Sequence, residues 1–195
     1  MALATPDLEA AADRIASEWG LTLLEGGRHP GFGTRNMLAG LGGGTYLEVV
    51  GPDLDQPTPD RPRPFGIDTL TSDALVTWAA RPDRPLDEVV ADLERTGYDA
   101  GPISAMSRQR PDGTVLAWEL TQGRLGEPWF GTVPFLIDWQ ESRHPTEDLP
   151  QGRQLARLVL SYPHPQGLRR IINVLGTDDR IHVVTGDPGI SVELE

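Results

Sequence analysis

Apolar positions along the chain follow one scheme three times: a short apolar run, a proline beside an acidic or polar residue, a stripe at helical spacing, then a glycine. In the first instance Ala2 to Thr5 leads into Pro6 and Asp7. Leu8, Ala11, Ala12, Ile15 and Trp19 then recur at the spacing of one helix face, ending at Gly20. The second runs from Ala74 to Ala80 through Pro82 and Pro85 to Leu86, Val89, Val90 and Leu93, and ends at Gly97. The third runs from Leu155 to Tyr162 through Pro163 and Pro165 to Leu168, Ile171, Ile172 and Leu175, and ends at Gly176. Glycine in that position suits a left-handed helix C-cap.

After each helix the period changes to two, the spacing of strands. Behind Gly20 the pattern predicts strands at Leu21 to Leu24, Thr34 to Leu41 and Thr45 to Val50, with Gly42-Gly43-Gly44 as a turn. Behind Gly97 it predicts Ile103 to Arg108, the turn Pro111-Asp112-Gly113, Thr114 to Thr121 and Thr132 to Trp139. Behind Gly176 only Ile181 to Thr185 and Ile190 to Leu194 follow. The expectation is an α+β fold: a β-α-β-β-β module over 1–51, a proline-rich linker over 52–72, a second module over 73–141 and a partial β-α-β-β module over 142–195, all in one compact domain.

Composition narrows the chemistry. There is no cysteine, which excludes disulfides, thiolate metal sites and cysteine nucleophiles. All 17 basic residues are arginine, so no lysine exists to form a Schiff base, hold pyridoxal phosphate or complete a P-loop. A net charge of −12 with scattered arginines lacks the basic stripe of a nucleic-acid binder. With neither a basic n-region at the start nor an apolar run of membrane length, the expectation is a cytoplasmic protein, monomer or homodimer, whose partner is a small organic molecule.

The segment Gly26-Gly27-Arg28-His29-Pro30-Gly31-Phe32-Gly33-Thr34-Arg35-Asn36 gathers four glycines, two arginines, a histidine and an asparagine. Glycines let backbone approach a ligand, and arginine and asparagine recognise anions and amides. The alternative is a tight connection with solvated polar groups. Alternation puts Thr34, Asn36 and Leu38 on one face of their strand and Tyr46, Glu48 and Val50 on one face of the next, and the triple-glycine turn gives both sets the same side. Glu48, flanked by apolar residues, reads as a general base of raised pKa or a metal ligand, or as a carboxylate paired with Arg28 or Arg35. His29 is the candidate proton carrier. Arg28, Arg35 and Asn36 are the candidates for holding an anion or carbonyl, with Tyr46, Arg108 and the strand tryptophans Trp78 and Trp118 as further lining. His144, His164 and His182 read as surface, helix-start and sheet positions.

That glycine-rich run, preceded by Pro-Asp-Leu and followed by Thr-Tyr-Leu-Glu, resembles the glyoxalase-like domain proteins of the vicinal oxygen chelate superfamily across most of residues 1–140. The resemblance implies paired β-α-β-β-β modules whose sheets form a concave pocket. It also implies a divalent metal held by first- and fourth-strand residues for isomerase, lyase or dioxygenase chemistry, or, in bleomycin resistance-like members, binding without turnover. Carried over residue by residue, the first-module histidine falls at or before Met1 and the fourth-strand carboxylate is Glu48. The second-module first strand, Val76 to Trp78, offers no imidazole, and its fourth strand offers Asp138. Two carboxylates without histidine suit a transition metal poorly. The expectation is therefore no cofactor, with a divalent ion on Glu48 and Asp138 as the alternative. The functional expectation is a glyoxalase-like isomerase or lyase acting on a small carbonyl- or carboxylate-bearing molecule, with non-catalytic sequestration as the other reading.

Overall fold

The structure is a computed structural model describing residues 1–109, 115–122, 129–176 and 179–195. The expected turn Pro111-Asp112-Gly113 and the side chain of Arg108 lie outside the described residues. The fold is α+β, with three mixed sheets and few helices. Chain packing divides it into two units: Met1–Val76 with Pro145–Ala156 and Glu193–Glu195, and Thr77–His144 with Arg157–Val192.

The first unit begins with β1 (Ala2–Ala4) and α1 (Leu8–Arg14), which a π-helical turn (Ile15–Trp19) prolongs. Asp7 caps α1 by accepting from the Ala10 N–H at 3.1 Å, and Gly20 closes the far end in the left-handed region at φ 65°. Then come β2 (Leu24–His29), β3 (Thr34–Gly40) and β4 (Tyr46–Pro52), and later β5 (Ala74–Thr77). Strand order is β2-β3-β4-β1-β5, with β1 parallel to β4. Helix α1 buries Leu8, Ala11 and Ala12 over the sheet face that carries Leu47, Val49 and Gly51. Gly51 lets the helix pack close: a Cβ there would stand 2.9 Å from Leu8 Cβ. On the opposite face Ala4 and Val50 form a small core with Ile67 from the 3₁₀ segment Pro64–Thr69.

The second unit holds β6 (Ala79–Ala80), α2 (Leu86–Arg95), β7 (Ile103–Gln109), β8 (Val115–Thr121) and β9 (Phe135–Asp138). Its sheet runs β6-β9-β8-β7, with β6 parallel to β9, the same order and sense as β1-β4-β3-β2. The last elements are β10 (Leu155–Tyr162), α3 (Gln166–Leu175), β11 (Ile181–Thr185) and β12 (Gly189–Leu194), in a sheet ordered β11-β10-β12. Here β10 pairs parallel with β11, the strand that follows its helix, whereas β1 and β6 pair with the fourth strand of their sets.

Three elements differ from the sequence expectation. The apolar run 74–80 is split, with β5 joining the first sheet and β6 the second. The strand expected from Thr132 starts only at Phe135. The strand expected at Leu21 to Leu24 begins only at Leu24, and the glycine-rich segment is mostly strand: β2 runs through Gly26, Gly27 and Arg28 to His29, and the connection shrinks to the turn Pro30 to Gly33, closed by Phe32 N–H donating to His29 O at 3.1 Å. Ladder bonds need only backbone groups, so glycines can join a sheet where a partner strand and a bulge accept them.

Candidate functional site

Register determines which side chains meet in the first sheet. His29 lies opposite Thr34, Gly27 opposite Asn36, Asn36 opposite Val50, and Leu38 opposite Glu48. His29, Thr34, Asn36 and Glu48 therefore share the face turned away from α1. Asn36 Nδ2 donates to Glu48 Oε1 at 2.5 Å, a diagonal contact across two strands. His29 Nε2 stands 4.0 Å from the same oxygen. The other imidazole nitrogen, Nδ1, is 2.9 Å from Thr34 Oγ1, a hydroxyl that serves either tautomer because it can donate or accept. The side chains of His29 and Glu48 are 29% and 25% exposed, so both remain reachable, whereas Asn36 is 6% exposed.

Two details sharpen this cluster. Asn36 Oδ1 is buried and accepts from no group among the described residues. Gly26 makes room for it: β2 has a bulge between Glu25 and Gly27, and a Cβ on Gly26 would lie 2.3 Å from Oδ1. At the edge of the cluster the Met1 amino group donates to Tyr46 O at 3.0 Å, and burial pulls its pKa down to about 6 while the nearby Glu48 charge works in the opposite direction.

Arg28 and Arg35 sit opposite each other on the face shared with α1, and each is engaged by carboxylates. Arg35 bonds Glu9 of α1. Arg28 reaches Asp53 at 3.0 Å and Asp55 at 2.7 Å. Glu48 meets Asn36 and His29 rather than either arginine.

Asp53 is the anchor of the segment that follows β4. It is 1% exposed, its N–H donates to Gly33 O, and its carboxylate accepts from Gln56 Nε2, the Asp55 N–H and Arg28. Burial pushes the Asp53 carboxyl up, and these bonds with the charges of Arg28 and Arg35 outweigh it, holding it below the ordinary 3.8. Gln56 also donates to Thr34 O, and Arg63 Nε to Gly33 O at 2.8 Å, so the stretch read as a linker pins the β2–β3 turn. Thr34, Asp53 and Gln56 were not singled out from sequence. Alternation placed Thr34 beside Asn36, whereas nothing in an Asp- and Pro-rich run marks Asp53 for burial.

The remaining candidates belong to the second unit. Trp78 is buried and donates through Nε1 to Thr132 O at 2.9 Å. Trp118 packs on Trp139 with ring centroids 5.3 Å apart. Asp138 lies opposite Glu119 and accepts from the Gln140 N–H at 2.9 Å. Both β1 and β6 are followed by a Pro-Asp pair, which matches Ala4 with Ala80, and their partners Val50 and Leu136 match in turn. On that alignment Glu48 corresponds to Pro134 and Asp138 to Pro52; continuing the β8–β9 register, Asn36 corresponds to Thr121, whose Oγ1 accepts from Leu136 N–H at 2.9 Å. The second sheet does not repeat the Asn–Glu pair.

A family model described as a glyoxalase-like domain matches residues 1–175. The chain belongs to that family. Glyoxalase-like proteins fall in the vicinal oxygen chelate superfamily. Comparison with curated proteins gives no match. A hypothetical protein from Staphylococcus aureus is 14% identical, with 96% of this chain and 86% of that one covered at a TM-score of 0.64, a likeness of fold. Methylmalonyl-CoA epimerase from Mycobacterium tuberculosis is 14% identical over 70% of this chain and 81% of its own, TM-score 0.42. A Streptomyces coelicolor methylmalonyl-CoA epimerase variant in complex with 2-nitronate-propionyl-CoA is 14% identical over 70% of this chain and 91% of its own, TM-score 0.45.

Superfamily members of this kind typically use a divalent metal, which calls for three or more convergent ligands. Among the described residues no group of three His, Asp or Glu side chains is arranged to hold one. Among the described residues on the face of β2, β3 and β4 that carries Asn36, His29 and Glu48 are the ones of ligand type, and Glu48 already accepts from Asn36. These side chains do not fit a resident metal. No helix among the described residues is long and apolar enough to cross a membrane.

Proposed function

We propose that this glyoxalase-like protein catalyses proton transfer on a small carbonyl-bearing organic molecule, an isomerase- or lyase-type reaction, with Glu48 as the base. The observation that carries the reading is the convergence of His29 and Asn36 on one oxygen of a partly exposed carboxylate. Glu48 removes a proton from the carbon next to the carbonyl; the electron pair of that C–H bond forms a carbon–carbon double bond, and the π pair of the carbonyl moves onto its oxygen. His29, through Nε2–H, hydrogen-bonds the developing oxyanion. Return of the proton from Glu48 to the same carbon completes exchange; with an α-hydroxycarbonyl substrate, return to the other carbon of the enediol, as the hydroxyl proton passes to the first oxygen, completes isomerisation. Asn36 holds the carboxylate in the orientation that does this.

The two arginines expected to grip an anion are tied to Glu9, Asp53 and Asp55. Their arrangement favours an uncharged carbonyl group over a carboxylate as the feature recognised at this face. The test compares wild type with Glu48→Gln and His29→Asn on a panel of small aldehydes, ketones and hydroxyketones. Glu48→Gln should lose about 10²- to 10⁴-fold in turnover with binding retained. Undiminished turnover in Glu48→Gln removes the proposed base, and binding without turnover in every protein leaves a sequestration role.

A further inference from the structure

We infer that Asn36 is a positioning residue whose side-chain amide rotates with the protonation state of Glu48, Nδ2 donating to the carboxylate and Oδ1 accepting from the carboxylic acid. The inference rests on the reading of Glu48 as a proton carrier. Its basis is the amide's unequal satisfaction: Nδ2 is bonded to Glu48 Oε1, whereas Oδ1 is buried with no partner among the described residues. A buried acceptor without a donor costs about 1–3 kcal/mol, so a purely structural amide at this position would be a poor choice. Rotation by half a turn about the terminal torsion exchanges the two atoms, and one polar atom is then orphaned in either orientation. The rotation itself therefore sacrifices no hydrogen bond, and the charge on Glu48 decides which orientation is favoured. An ionised carboxylate accepts only and selects Nδ2; a protonated one must donate and selects Oδ1.

The surroundings permit the motion. Gly26 leaves open the space that a Cβ would occupy 2.3 Å from Oδ1, and the same Cβ would stand 3.0 Å from Leu38 Cγ. Backbone neighbours do not compete for the amide, since β3 is paired on both edges, with β2 and with β4. The titratable groups facing Glu48 are His29 from β2 and the Met1 amino group beside β1. Charged, both groups only donate, and His29 Nε2 at 4.0 Å stands beyond hydrogen-bond distance of Glu48. Asn36, the side chain bonded to Glu48, carries both a donor and an acceptor, which lets Glu48 take up and return a proton without losing its partner.

The experiment uses the full chain labelled with ¹⁵N-asparagine and ¹³C-glutamate. The sequence has two asparagines, Asn36 and Asn173, so the side-chain amide signals are few and Asn173 is an internal control. The Asn36 Nδ2 proton pair is expected to change environment in one transition at the midpoint shown by Glu48 Cδ, while Asn173 does not. In Glu48→Gln the Asn36 transition should vanish, and in Gly26→Ala the blocked amide should no longer follow Glu48. A Glu48 Cδ titration with a stationary Asn36 amide overturns the inference, as does an Asn36 transition that survives in Glu48→Gln. A coupled transition without turnover of any carbonyl compound leaves the inference standing and removes the proposed reaction; turnover with a stationary amide does the reverse.

Discussion

Asn36 pairs across the sheet with Val50, yet its amide binds Glu48, two residues back along the same strand. That diagonal places an amide and, from β2, an imidazole around one carboxylate oxygen. Each polar group is held by the regular ladder rather than by a mobile loop, which keeps the geometry defined.

Asn36→Leu separates stability from function. It removes the bond to Glu48 and the orphaned Oδ1 together, so unfolding free energy should change by no more than about 1 kcal/mol. Turnover should fall, because the carboxylate loses the amide that holds its orientation. Denaturant unfolding and steady-state kinetics check both.

Asp53→Ala leaves the Gln56 amide and the Asp55 N–H without their acceptor and should cost about 2 kcal/mol at neutral pH by urea unfolding. The Asp53 carboxyl is held below 3.8, so its contribution is fully present above that value and is lost as pH falls through the lower folded value. Asp53→Asn should therefore show a flatter loss of stability below about pH 4 than wild type.

Gly51→Ala inserts a Cβ 2.9 Å from Leu8 Cβ and 3.3 Å from Leu8 Cα, where α1 rests on β4. Overpacking of this kind should destabilise by about 1–3 kcal/mol. Because the clash is on the face opposite Glu48, the residual folded protein should keep its affinity for carbonyl ligands, measurable by calorimetry below the lowered melting temperature.

Tyr98 in the second unit is buried, and burial, with the Asp99 charge adding to it, pushes its hydroxyl up to about 12. A folded-state value above the ordinary 10 means stability that is complete below pH 10 and lost as pH rises towards 12. Ultraviolet titration should show Tyr98 ionising only together with alkaline unfolding, and Tyr98→Phe should ease that loss.

The three helices, their capping glycines and most strands were legible from periodicity, because helix and strand spacings are distinct and glycine marks the ends. The side shared by Asn36 and Glu48 followed from turn length, which sets register parity. The glycine-rich stretch looked like a loop because glycine density signals turns locally, whereas strand pairing is decided by the neighbouring strand. Arg28 and Arg35 were read as holding an anion, or as partners of Glu48; the carboxylates they meet, Glu9, Asp53 and Asp55, reach them through tertiary packing that no spacing encodes. The break between β5 and β6 was hidden for a similar reason, since one apolar run can serve two sheets.

The central claim, that Glu48 moves a proton on a carbonyl compound, is tested most directly by hydrogen exchange in deuterium oxide. Small ketones and hydroxyketones are incubated with the protein, and deuterium entering the carbon next to the carbonyl is followed by NMR. Wild type should catalyse exchange on at least one compound, and Glu48→Gln should bind that compound without exchanging it. Exchange that persists in Glu48→Gln, or compounds bound by wild type with no exchange at all, would contradict the account.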